Sequence, residues 1–174
     1  MQKSLQLRAS LKDLFELLKF NYNICLFTFF FCFFSRGILK VEINYLAKKE
    51  LFVFPFKYFF EWTGGRALNR AKNENKVDSI AAVFEQNDIF RLALSPEGTR
   101  KKVNQWKTGF YYIALKANVP IIPVVFDYGK KEVVYHLPFY PTGNIEEDLK
   151  VLETYYIGIF GKNRALSYFP EKKK

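Results

Sequence analysis

The sequence predicts an α/β fold: a central, mostly parallel sheet flanked by helices, preceded by an apolar helical segment at the N-terminus. Three observations point to it. From about residue 41 onward, short apolar runs bounded by turn residues alternate with stretches of helical periodicity, the β-α-β-α-β order that buries a sheet beneath helices. Ile121 to Asp127 is mostly apolar, as strands buried on both faces are. The chain of 174 residues shows no internal repeat and no Gly/Ser linker. It is therefore read as residues 40–174 forming one α/β domain with a sizeable core, and residues 1–39 forming a membrane-proximal segment.

The first element runs from Ser4 to Lys19, where Leu7, Leu11, Leu14, Phe15 and Leu18 recur at helical spacing beside Lys3, Arg8, Lys12 and Lys19. Such a helix suits either a membrane interface or a core. Ile24 to Phe34 then reads ICLFTFFFCFF. That run is shorter than the roughly 20 apolar residues a straight membrane-crossing helix needs, and no small-residue cleavage site follows it. Three readings stay open: a wedge inserted in a membrane, a buried helix, or a segment whose reading frame has diverged. Cys25 and Cys32, seven apart, share a helical face and serve packing or lipid contact. A disulfide across two helical turns does not fit disulfide geometry, and no C-x-x-C or Cys–His cluster offers a metal site.

Val41 to Ala47 reads as a strand with Val41, Ile43 and Tyr45 on one face. Phe56 to Trp62, after Pro55, is a short helix ended by Gly64-Gly65, and its aromatics face either lipid or core. Val77, Ile80, Ala81 and Phe84 place an amphipathic helix over residues 75–87. Leu92 to Ser95 is a strand, Phe110 to Ala117 a helix that Asn118 can end. Ile121 to Asp127 is a strand, Lys130-Lys131 a turn, and Glu132 to His136 a further strand. Asn144 with Glu147 forms a capping box for a helix through Tyr156.

The formal net charge is +10, and 19% of residues are aromatic, with 20 Phe and 11 Tyr. A basic, aromatic-rich chain suits an anionic membrane surface or an anionic substrate. Nucleic acid is the other partner that charge allows, but no aromatic ribonucleoprotein block or zinc-finger spacing is present, so none is expected. Lys172-Lys173-Lys174 reads as a frayed tail.

The strongest site signal is Pro96-Glu97-Gly98-Thr99-Arg100 at the end of the 92–95 strand. Gly98 permits positive φ and close approach to the backbone. Arg100 offers a planar fork of donors for phosphate or carboxylate, and Lys101, Lys102 and Lys107 add charge. Taken alone, these five residues fit an anion-binding turn or a solvated turn with a surface arginine.

Upstream stands Gly64-Gly65-Arg66-Ala67-Leu68-Asn69-Arg70, and downstream Val119-Pro120-Ile121-Ile122-Pro123-Val124. The ordered trio resembles the glycerolipid acyltransferases, the lysophosphatidic acid acyltransferase family, with its Gly-x-x-x-x-x-Arg, Glu-Gly-Thr-Arg and Val-Pro-Ile-x-Pro-Val blocks. Lys48-Lys49-Glu50-Leu51-Phe52 with Pro55, and Trp106-Lys107-Thr108-Gly109-Phe110, match the connecting text, so the resemblance covers about residues 41–136.

The resemblance implies a glycerol-phosphate acyltransferase-like fold and a role in phospholipid biosynthesis. An acyl group would pass from acyl-CoA or acyl carrier protein to lysophosphatidic acid or a similar acceptor. The place would be the cytoplasmic face of a membrane, with peripheral or shallow attachment and no cofactor. Arg70 and Arg100 would clamp the phosphate, with Arg66 an alternative to Arg70. Glu97 would fix Arg100 or the glycerol backbone, Gly98 and Thr99 would donate hydrogen bonds, and Val119 to Val124 would shape the acyl site. The family's first motif, Asn-His-x-x-x-x-Asp, should lie upstream of Lys49. The single histidine is His136, far downstream, where a structural role is expected. No catalytic base is assigned, and two expectations follow: an acyltransferase inactive in this chain, or a non-catalytic relative that binds lysophospholipid or anionic membrane.

Overall fold

The computed structural model describes residues 36–37, 40–68, 75–99, 103–159 and 161. The expected helix over 4–19, the Phe-rich run with both cysteines, Arg70, Arg100, Lys101, Lys102 and the lysine tail lie outside the described residues.

The first unit is a β-α-β crossover. Strand β1 is Tyr45–Lys48, followed by a 3-10 turn at Lys49–Leu51, helix α1 at Phe56–Trp62 and strand β2 at Gly65–Leu68. β1 and β2 are parallel, Tyr45 opposite Gly65 and Lys48 opposite Leu68. The two glycines make the crossover possible. Gly64 has φ +90°, and a Cβ there would lie 2.7 Å from the Ile43 carbonyl oxygen; one on Gly65 would lie 2.8 Å from that of Phe60. The helix therefore runs straight into a strand that the sequence reading did not anticipate. Thr63 closes the corner: its hydroxyl lies 2.9 Å from the buried Tyr45 hydroxyl and reaches the Phe60 carbonyl at 2.9 Å.

The expected strand over Val41–Ala47 starts only at Tyr45. The expected strand at Leu92–Ser95 is reduced to one parallel bridge, Asn44 to Leu92. Asn44 N–H donates to the Arg91 carbonyl at 2.6 Å, and Ala93 N–H to the Asn44 carbonyl at 2.9 Å. Tyr45 N–H goes the other way, to the Gly64 carbonyl at 3.1 Å. Successive amides of an extended chain point to opposite edges, so residues 44–48 run between β2 and residues 91–93. Beyond Ala93 the chain peels away into the Pro96 turn, and the ladder stops.

Helix α2 (Lys76–Glu85) packs on helix α3 (Gly109–Lys116). Ile80 and Ala81 of the first and Tyr111, Ile113 and Ala114 of the second are buried, and Lys116 pairs with Asp78 at 2.6 Å. Asn118, with φ +51°, ends α3 in the left-handed conformation, as asparagine tolerates.

Strands β3 (Val124–Asp127) and β4 (Glu132–Tyr135) form an antiparallel hairpin, correcting the expectation of a buried parallel strand at Ile121–Asp127. The reason is local: the Asp127 carboxylate accepts from Gly129 N–H at 2.9 Å and Lys130 N–H at 3.1 Å. That tight turn leaves no room for a crossover, so the strands must be antiparallel. Helix α4 (Ile145–Thr154) follows, with Asn144 accepting from Glu147 N–H at 3.5 Å.

The expected central parallel sheet is thus two two-stranded sheets, one parallel and one antiparallel, among the described residues. They share a core. Tyr45, Ala47 and Val133 are buried together, with Ile43, Phe52, Phe60, Ala93, Val124, Phe126 and Tyr135 packed around them. The mixed α/β class stands.

Candidate functional site

Residues 91–93 run parallel to β1, and β1 runs parallel to β2. The Pro96–Thr99 turn therefore leaves the same carboxyl edge at which β2 ends. Crevices outside the carboxyl ends of parallel strands are where α/β folds bind ligands.

The turn is closed by Gly98 N–H donating to the Ser95 carbonyl at 3.2 Å, and Lys107 N–H returns to the Pro96 carbonyl at 2.9 Å. Gly98 has φ +58°. A Cβ on it would lie 3.0 Å from Lys107 Cδ and 3.1 Å from Lys107 Nζ. Lys107 therefore lays its side chain across the bare α-carbon of Gly98, a contact that a larger residue would displace. The glycine supplies both the turn conformation and the seat for an ammonium group. Glu97 and Thr99 are half-buried beside it.

Trp106 anchors the segment that carries Lys107. Its ring meets those of Phe110 at 6.2 Å and Tyr156 at 5.1 Å, both edge-on. The Tyr156 hydroxyl donates to the Val124 carbonyl at 3.4 Å, and burial pushes its pKa up to about 12. The turn is thereby tied to the residues after α4 and to β3.

Among the expected site residues, the structure brings Glu97, Gly98 and Thr99 together and adds Lys107. Sequence reading named Lys107 only as a nearby charge. Its contact depends on the chain returning from residue 103 to Pro96, which no local pattern reports. Arg66 is exposed on β2, opposite Leu46. Arg70 lies two positions past Leu68, where β2 ends, and Arg100 directly follows Thr99.

His136 is a packing residue. Its ring lies 4.5 Å from that of Tyr155, and its amide donates to the Pro123 carbonyl at 3.0 Å. Burial lowers its pKa, which favours the neutral ring near pH 7.

A buried network that sequence reading missed joins α3 to α4. Asp148 accepts from the Tyr111 hydroxyl at 2.8 Å, from Thr142 N–H at 2.7 Å and from the Thr142 hydroxyl at 3.0 Å. Gly143 N–H donates to the Tyr111 oxygen at 3.0 Å. Burial acts to raise the Asp148 pKa, but the Thr142 amide and the two hydroxyls outweigh it and hold the carboxyl below its usual range. Burial, with the Asp148 contact, raises that of Tyr111. Every donor here is internal, so the network is structural. Among the described residues no group of three or more His, Cys, Asp and Glu could hold a metal ion, and no helix is long and apolar enough to cross a membrane.

Residues 26–127 match the family described as Acyltransferase. Two curated relatives are both 1-acyl-sn-glycerol-3-phosphate acyltransferases. That of Haemophilus influenzae is 33% identical over 87 residues, covering 46% of this chain and 36% of the relative. That of Salmonella typhimurium is 35% identical over 97 residues, covering 52% of this chain and 39% of the relative. The chain thus spans less than two-fifths of the length of these relatives. The crystal structure of the 1-acyl-sn-glycerophosphate acyltransferase of Thermotoga maritima aligns at TM-score 0.49 and 24% identity, over 70% of this chain and 56% of that one. The family match, 26–127, takes in more than half of the 174 residues and contains both the Pro96–Thr99 turn and Lys107, and the chain belongs to the acyltransferase family.

Proposed function

We propose that this chain carries the acceptor-binding part of a phospholipid-synthesising acyltransferase. The acceptor is lysophosphatidic acid or a similar glycerophosphate, and the acyl donor is acyl-CoA or acyl carrier protein. The observation that carries the reading is the Pro96–Thr99 turn, with Lys107 laid across Gly98. It sets an ammonium group against Gly98, one position before the Thr99 hydroxyl and two before Arg100. A phosphate monoester needs such a convergence of cations and donors.

In the reaction, the acceptor hydroxyl attacks the thioester carbonyl, its proton passes to a general base, and the thiol of the donor leaves. No covalent acyl-enzyme is required. Arg100, Lys107 and, past the end of β2, Arg70 hold the phosphate. Glu97 orients Arg100 or the glycerol backbone and Thr99 donates a hydrogen bond, while the Gly98 N–H, expected to be a donor to the ligand, is engaged by the Ser95 carbonyl at 3.2 Å and serves the turn instead. Holding acceptor and donor in register supplies much of the rate.

A second reading is favoured by the packing of His136 on Tyr155. The one histidine of the chain is spent on packing, so a protein that binds lysophospholipid without acylating it fits the same turn.

Binding is tested by calorimetry with lysophosphatidate. A charge-assisted hydrogen bond is worth about 1.5–3 kcal/mol, so Arg100→Ala and Lys107→Ala should each weaken affinity roughly tenfold or more. Arg100→Lys should restore only part, because the bidentate fork is gone. Affinity equal to wild type in both alanine variants removes the turn from the site.

A further inference from the structure

Resting on the acceptor-binding reading above, we infer that Tyr156 is a positioning residue of that site. Acting through Trp106, it holds Lys107 against Gly98, so that the ammonium group is in place before a phosphate monoester arrives. Tyr156 lies outside the residues matched to the family, 26–127, so the family blocks do not assign it.

Lysine carries its charge on a flexible four-carbon stem. An exposed lysine such as Lys107 can be kept over one glycine only if its backbone is fixed. Lys107 lies in neither a helix nor a strand, and α3 begins only at Gly109. Its N–H donates to the Pro96 carbonyl at 2.9 Å, and its neighbour Trp106 supplies a second hold.

Two rings meet Trp106 edge-on, Phe110 at 6.2 Å and Tyr156 at 5.1 Å. Edge-to-face pairs set orientation as well as contact. Phe110 follows Lys107 on the same stretch of chain and can move with it. Tyr156 comes from a separate element, and that element is fixed on three sides. The Tyr111 hydroxyl of α3 donates to the buried Asp148 carboxylate of α4 at 2.8 Å. Tyr155 packs on His136, just past β4, at 4.5 Å. The Tyr156 hydroxyl reaches the Val124 carbonyl of β3 at 3.4 Å. Tyr156 passes this fixed frame to Trp106, and Trp106 passes it to Lys107. A hydroxyl contact of 3.4 Å is long for a hydrogen bond, so the ring carries the effect.

The test is a double-mutant cycle on the full chain, read by calorimetry with lysophosphatidate. Tyr156→Leu should weaken affinity about three- to tenfold, part of the loss expected of Lys107→Ala, and Tyr156→Phe should retain most of the affinity. In a Lys107→Ala background Tyr156→Leu should cost nothing further, because the group it positions is gone; a general structural loss would add in both backgrounds. Should Tyr156→Leu fail to fold, Trp106→Leu against Lys107→Ala reads the same coupling. Without ligand, hydrogen exchange at the Lys107 amide should speed up in Tyr156→Leu. Exchange at the Ala93 amide, bonded to the Asn44 carbonyl at 2.9 Å, should stay as in wild type. Losses that add, Tyr156→Phe as weak as Tyr156→Leu, or an unchanged Lys107 amide overturn the inference and leave the acceptor reading standing. Undiminished affinity in Lys107→Ala itself removes Lys107 from the acceptor site, and the role of Tyr156 falls with it.

Discussion

At Asp148 two opposing effects meet in one side chain. Burial disfavours its charge, while the Thr142 amide and the hydroxyls of Thr142 and Tyr111 stabilise it, and the folded-state pKa falls below the ordinary 3.8. A depressed carboxyl pKa contributes stability that is complete above the unfolded value. It is lost as pH falls through the folded one. Asp148→Asn should therefore cost about 1.5–3 kcal/mol at pH 7, since it removes the charge that three donors address. The same variant should lose less stability than wild type between pH 5 and pH 3, as followed by urea unfolding at each pH. Identical acid dependence in the two proteins would mean that the carboxyl titrates normally. Residue chemistry was readable in sequence where one position demands one property: Gly98 was read as a positive-φ glycine, and it has φ +58°. Lys107, Asp148 and Tyr111 were not readable as site or network members. Their roles come from pairs 37 residues apart, as for Tyr111 and Asp148, or from a return of the chain.

Helices were more legible than strands, for a physical reason. A helix repeats its apolar stripe over two or more turns, ten residues in α2, eight in α3 and seven in α1, and α2 also opens on the Asn75 cap. Residues 75–87 gave Lys76–Glu85, Phe110–Ala117 gave Gly109–Lys116, and Phe56–Trp62 was matched at both ends. Each strand here has four residues, so alternation shows at most two inward positions, and β2, with a glycine and an arginine, shows less. Pairing sense is non-local as well: an apolar run such as Ile121 to Asp127 does not distinguish a hairpin strand from a parallel one. The caps also permit a graded prediction. Asn75 accepts from Val77 N–H at 3.2 Å and Asn144 from Glu147 N–H at 3.5 Å. Capping asparagine to alanine costs about 1 kcal/mol. Asn75→Ala should reach that figure and Asn144→Ala should fall below it in urea melts. The reverse order would show that cap length does not set the cost here.

The molecule as a whole joins a β-α-β unit and a hairpin through one apolar core, and the candidate anion-binding turn opens at the carboxyl edge of the parallel pair. In the proposed reaction a proton must leave the acceptor alcohol, and the one imidazole of the chain, His136, lies outside that turn. An alcohol is a poor nucleophile near pH 7, and a positioned base contributes about a hundredfold to ten-thousandfold. The family's histidine has no counterpart before Lys49 in this chain, and His136 lies packed on Tyr155 beyond the hairpin. The purified 174-residue chain should therefore bind lysophosphatidate yet transfer little or no labelled acyl group to it from acyl-CoA. His136→Ala should leave any residual transfer unchanged, while Arg100→Ala should still weaken binding. Robust turnover that His136→Ala abolishes would make this histidine the base and require it to leave its seat on Tyr155. Robust turnover that survives His136→Ala would place proton removal on another group altogether, because no second imidazole exists in the chain to take the role.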